Sequence, residues 1–104
     1  ELASMFNAYC GYGETDHSVT QSFLGIPFET AAEFWRKSLQ LYFNGADEDF
    51  LNEVERKAQV VGYARIMRRS IRRNGLNTED GRKLIDNCRK NLAKLLPQVD
   101  SLLF

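Results

Sequence analysis

The chain is poor in the residues that make cross-links, metal cages and rigid loops. It has two cysteines, one histidine, two prolines and one tryptophan in 104 residues. Cys10 and Cys88 stand 78 positions apart with no second ligand pair near either, so neither a zinc motif nor a disulfide framework is implied. Both are expected as small buried hydrophobes, reduced, in a cytoplasmic protein. His17, the lone histidine, has no serine, cysteine or metal-spaced partner that the sequence can set beside it, so no nucleophile and base pair is visible. No apolar run approaches the length of a membrane span. A basic N-terminal region followed by an apolar stretch, the mark of an export signal, is also missing.

What is present is an ordinary globular composition: 43% hydrophobic and 27% charged residues. That is enough apolar surface to fold, in an amount that suits one domain over residues 1–104. The formal net charge is zero, but it is unevenly spread, roughly −8 over residues 1–55 and +8 over the rest. Ion pairs between the halves or an anionic partner could each account for this.

Helical periodicity runs through the whole length. Leu2, Met5, Phe6 and Tyr9 share a face, and the run stops at Gly11-Tyr12-Gly13, where glycines permit the left-handed conformations that end helices. Thr15 or Asp16 can cap a short second helix that Gly25 closes before Pro27. An aromatic helix follows over 28–43, with Trp35, Leu39, Tyr42 and Phe43 on its apolar side and Asn44-Gly45 as the stop. Asp47, Glu48 and Asp49 put negative charge at the start of the longest helix, about 26 residues or near 40 Å, which Asn74-Gly75 ends. Asn77 or Thr78 caps a last helix whose buried face includes Leu84, Cys88, Leu92, Leu95 and Leu96, before Pro97 and an apolar tail. With no period-two alternation and no repeat, the expected fold is all-α, about five helices in a compact bundle.

Few patterns promise chemistry. Gly11-Tyr12-Gly13 follows a helix and not a strand, so it is not a dinucleotide loop. The acidic trio 47–49 lacks the alternating oxygen ligands and distal glutamate of a calcium loop, and dipole capping explains it. The sharpest feature is Arg65, Arg68, Arg69, Arg72 and Arg73, which share one helical face. Such a stripe suits phosphates, because a guanidinium fork matches their geometry. Against nucleic acid stand the absence of interleaved aromatics and of any recognition motif, and the favour a helix C-terminus gives to cations.

The opening Glu1-Leu2-Ala3-Ser4-Met5-Phe6-Asn7-Ala8-Tyr9 resembles the stretch after the metal-binding acidic segment of aminoglycoside and choline kinase-like phosphotransferases. Phe23-Leu24-Gly25-Ile26, the aromatic helix through Phe34-Trp35-Arg36-Lys37-Ser38-Leu39, the arginine-rich helix and the ending Leu95-Leu96-Pro97-Gln98-Val99-Asp100 extend the resemblance over nearly the whole chain. It implies a C-terminal helical piece of a larger, two-lobed enzyme that uses ATP and magnesium to phosphorylate a small-molecule hydroxyl. The start at Glu1, with Met5 inside a helix, fits a cut piece of a longer chain. Catalytic and nucleotide-binding residues belong upstream of Glu1, so no catalytic, cofactor or metal residue is expected here and the chain alone should be inactive. Glu1 itself stands where the family has Asp, a longer side chain in a position that steadies the catalytic loop. On the acceptor side the resemblance points to Glu14, Asp16 and the terminal carboxylate of Phe104 as substrate contacts. The expected partner is the missing N-terminal lobe or a second copy, since the surface facing the catalytic loop would otherwise be bare. The competing reading is a stand-alone helical module that self-associates or binds nucleic acid through Arg65 to Arg73.

Overall fold

A computed structural model describes residues 1–102. Among them are five α-helices and no strand: α1 (Leu2–Phe6), α2 (His17–Leu24), α3 (Phe28–Tyr42), α4 (Glu48–Arg72) and α5 (Glu79–Leu95). The all-α expectation holds. A π-helical turn, Asn7–Gly11, continues α1 without a break, and short 3-10 turns at Gly75–Asn77 and Leu96–Gln98 flank α5. None of these helices is long and apolar enough to cross a membrane.

Local chemistry sets the helix ends. The Glu1, Asp16, Asp47 and Thr78 side chains accept from the backbone N–H of Ala3, Ser18, Phe50 and Gly81, so four helices start on a side-chain cap. Pro27 opens α3, where its missing N–H costs nothing. Stops at Gly25 (φ +74°) and Gly45 (φ +87°) use the left-handed region as the sequence suggests. Two expectations need correction. At the end of α4 the left-handed residue is Asn74 (φ +65°), not Gly75. Gly11 and Gly13 are not left-handed at all; each is glycine because of what lies against it. A Cβ on Gly11 would stand 2.6 Å from Ile66 Cδ1, and one on Gly13 would run into the Thr20 hydroxyl and the Phe28 ring.

Helix α4 is the spine, touching α1, the π turn, α3 and, over most of its length, α5. The core gathers on it: Phe6 meets Trp35 edge-on (centroids 5.7 Å apart) and Tyr63 likewise (5.2 Å), while Leu39, Val54, Ile66 and Cys88 close the space around them. Cys10 and Cys88 are both buried and unpaired. Desolvation pushes each thiol up to about 12, so neither is a thiolate at neutral pH. Tyr42 and Leu96, expected on buried faces, are 73% and 56% exposed. Each comes at the last turn of its periodic run, where the helix has already passed its neighbour.

Candidate functional site

Polar side chains tie the helices in two places. At one, Glu55 of α4 accepts from the Trp35 indole N–H (2.9 Å) and the Arg36 guanidinium (2.7 Å), and Arg36 also donates to Asn52 and pairs with Glu48. That clamp fixes α3 on the first half of α4. At the other, the Glu14 carboxylate accepts from the Tyr63 hydroxyl (2.7 Å) and from Asn87 Nδ2 (3.0 Å), drawing the loop before α2 onto α4 and α5. Burial, and then the hydrogen bond to Glu14, raises the Tyr63 phenol well above its ordinary value.

Beyond these ties a wide groove opens between α4 on one side and α1, the π turn and α2 on the other, with a volume of about 860 Å³. That is within the range of small-molecule sites. Its α4 wall is the arginine stripe, Arg65, Arg68, Arg69, Arg72 and Arg73. The opposite wall presents Ser4, Asn7 and Thr20, with Tyr12, Val19 and Phe23 at its apolar end. No carboxylate of the described residues lines it. Arg65 is taken by Glu1, at 2.7 Å, and that guanidinium, followed by the Ala3 N–H, holds the Glu1 carboxyl below the usual carboxylate range. The side chains of Arg68, Arg69, Arg72 and Arg73 are exposed and make no ion pair or hydrogen bond among the described residues.

Two groove residues are also orphaned. Asn7 Oδ1 and the Thr20 hydroxyl are buried without a hydrogen-bond partner, in side chains only 8% and 2% exposed. Such groups ordinarily cost stability unless satisfied, which makes them informative. Asn7 Oδ1 is pressed against α4 at Gly62, where a Cβ would come within 2.6 Å of it. The sequence points to the arginines but to neither of these, since a lone Asn or Thr on a helix carries no spacing signal.

The other sequence candidates lie elsewhere. Glu14 sits in its structural tie and lines neither this groove nor the second hollow. Asp16 caps α2, its carboxyl held below the usual range by the Ser18 hydroxyl and N–H, at the lip of that second hollow of about 260 Å³. Phe104 lies outside the described residues. His17 stacks on Phe28 (centroids 4.1 Å) with Nδ1 3.9 Å from Glu29 Oε1, a surface contact. In the acidic trio, Asp47 caps α4 and Glu48 holds Arg36. Among the described residues no group of three His, Cys, Asp or Glu could hold a metal ion. No protein-family model matches the chain, and neither curated proteins nor solved structures provide a match.

Proposed function

We propose that this chain is the C-terminal helical part of an ATP-dependent small-molecule phosphotransferase, supplying scaffold and part of the acceptor side. On this reading it has no phosphoryl transfer of its own. The observation that carries the reading is the junction at Glu1. Its carboxylate opens α1 by capping Ala3 and reaches across to Arg65 of α4, joining the acidic-Leu-Ala start to the arginine-rich helix, two of the segments that resemble that family. Magnesium and nucleotide would be held by residues upstream; among the described residues no group of three His, Cys, Asp or Glu could hold the metal. Glu14 and Asp16 serve the acceptor side through the loop that Glu14 anchors on Tyr63 and Asn87. Two free buried thiols support a reducing, cytoplasmic setting.

The test is ADP release in the presence of ATP, magnesium and a panel of hydroxylated acceptors, comparing the full natural reading frame with residues 1–104. Release by the full frame alone is the expected result. A full frame that turns over no acceptor, or one without an Asp-bearing catalytic loop upstream, would sink the reading.

A second reading, a self-associating helical module, is favoured by the bare apolar side chains of α2 and α3. Phe23 (74%), Phe34 (54%), Leu41 (80%) and Tyr42 (73%) are all exposed. Sedimentation separates the two: a dimer of residues 1–104 that persists within the full-length protein supports the module, whereas a full-length monomer supports the phosphotransferase reading.

A further inference from the structure

The groove has the makings of a ligand site on two independent counts: unused positive charge on one wall and unused buried hydrogen-bonding atoms on the other. Four guanidinium groups, on Arg68, Arg69, Arg72 and Arg73, face solvent with no ion pair among the described residues, and they occupy about 8 Å along α4. A helix C-terminus favours a cation in its last turn, which accounts for Arg69 and Arg72 alone. It does not account for the concavity, for the lack of any carboxylate in its lining, or for the orphaned Thr20 hydroxyl and Asn7 carbonyl.

We propose that this groove binds a phosphorylated small molecule that also carries a hydroxyl or amino group. Guanidinium forks take phosphate oxygens in pairs, and several of them around one cavity suit more than one phosphate, or one phosphate beside a second anionic group. Among the described residues the Thr20 hydroxyl has a proton to give and no acceptor, and Asn7 Oδ1 accepts and has no donor. A ligand that presents both an anionic oxygen and a hydroxyl or amino hydrogen matches this pair. Phe23 and Val19, exposed at the apolar end, offer a surface for the ligand's carbon skeleton.

The charge distribution favours a compact ligand over a nucleic-acid backbone. A strand of phosphates needs a basic track that continues beyond one cavity. Here most of the other cations of the second half are engaged: Lys57 with Glu53, Lys83 with Glu79, Arg89 and Lys90 with Asp86, and Arg82 with the Leu76 carbonyl, while Arg56 on the half-buried side of α4 and Lys94 near the end of α5 stand singly among the described residues. Unpaired positive charge is concentrated in the groove, where four arginines stand together. The inference stands apart from the phosphotransferase reading, because it requires neither an upstream lobe nor turnover.

The experiment is isothermal titration calorimetry of the full 104-residue chain with inorganic pyrophosphate, ribose 5-phosphate and a 20-nucleotide single strand as probes, each at two salt concentrations. Saturable one-to-one binding of at least one of the two phosphates, weakened by salt, is expected. The Arg68→Gln/Arg72→Gln pair should weaken it at least tenfold with melting unchanged. Thr20→Val keeps the shape and removes an unsatisfied hydroxyl, so it should leave melting unchanged or raise it while weakening ribose 5-phosphate about tenfold, the worth of a hydrogen bond to a charged group. A merely structural Thr20 would leave the affinity unchanged whatever the melting does, and that result would remove it from the site. The proposal is overturned if neither phosphate binds at millimolar concentration, if the arginine variant binds as well as the natural chain, or if the oligonucleotide binds more tightly than both phosphates, which would make the stripe a nucleic-acid surface.

Discussion

The two halves of α4 are both heavily charged and use their charges in opposite ways. In the N-terminal half, Glu48, Asn52 and Glu55 turn toward α3 and take up Arg36 and the Trp35 indole, while Lys57 pairs with Glu53 one turn away. In the C-terminal half Arg65 pairs with Glu1, and four further arginines line an open groove with no partner among the described residues. The difference is one of neighbours. Helix α3 brings complementary polar groups to the first half, whereas α1 and α2 bring Ser4, Asn7, Thr20 and apolar side chains to the second. Charges that meet a partner become architecture; those that do not stay exposed along the groove.

The contrast can be tested by breaking each half in turn. The largest loss is expected from Trp35→Ala, which empties the edge-on contact with Phe6 and removes the indole donor to Glu55. A cost of about 3–5 kcal/mol in chemical denaturation is expected, close to the whole stability of a small domain. Raising the pH acts next. Cys10 and Cys88 have ordinary values of 9.0 and are raised to about 12 by burial, and Tyr63 is raised as well. Folded-state values above unfolded ones mean stability that is present below pH ~9 and lost as pH climbs toward ~12, up to about 1.4 kcal/mol per pH unit for each group. Melting followed from pH 7 to 11 should therefore fall above pH ~9, and Cys88→Ala should flatten the fall. Since arginine stays protonated over this range, the Arg68→Gln/Arg72→Gln pair should give the same alkaline curve as the natural chain.

Glu55→Leu comes third, at about 2–3 kcal/mol, because it deprives both the Trp35 N–H and Arg36 of their acceptor. Gly62→Ala should cost about 1 kcal/mol. Alanine ordinarily strengthens a helix by about that much, but here its Cβ would stand 2.6 Å from Asn7 Oδ1 and 2.9 Å from Phe6 Cδ2, and overpacking outweighs the gain. Smallest is the arginine pair itself, within about 0.5 kcal/mol by melting, as befits exposed residues with no partner. A loss of several kcal/mol there would mean the stripe supports the fold, and the contrast between the halves would collapse.

Much of the helix framework was legible from local chemistry. The caps at Asp16, Asp47 and Thr78 and the stops at Gly25 and Gly45 fell among the expected positions, because a cap depends on residues within one turn of it. Less visible was why Gly11 and Gly13 are glycines. Their reason lies in Ile66, Thr20 and Phe28, from other elements of the fold. Of the candidate site, the arginine stripe was plain from its spacing alone. Glu14 was singled out as a possible substrate contact, yet its hydrogen bonds to Tyr63 and Asn87 span 49 and 73 positions, a distance over which no local pattern speaks.

The sequence by itself determined that the chain is helical, where most helices begin and end, and that five arginines share one face. Those features follow from interactions within a turn or two of backbone. Only the tertiary structure decided which charges would be answered. Nothing local distinguishes Arg36 and Arg65 from the others, but each is met by a carboxylate from another segment, whereas Arg68, Arg69, Arg72 and Arg73 face a groove wall with none among the described residues. It also decided that Asn7 and Thr20 would be buried beside those arginines without a partner, because desolvation is a property of packed neighbours and not of residue type.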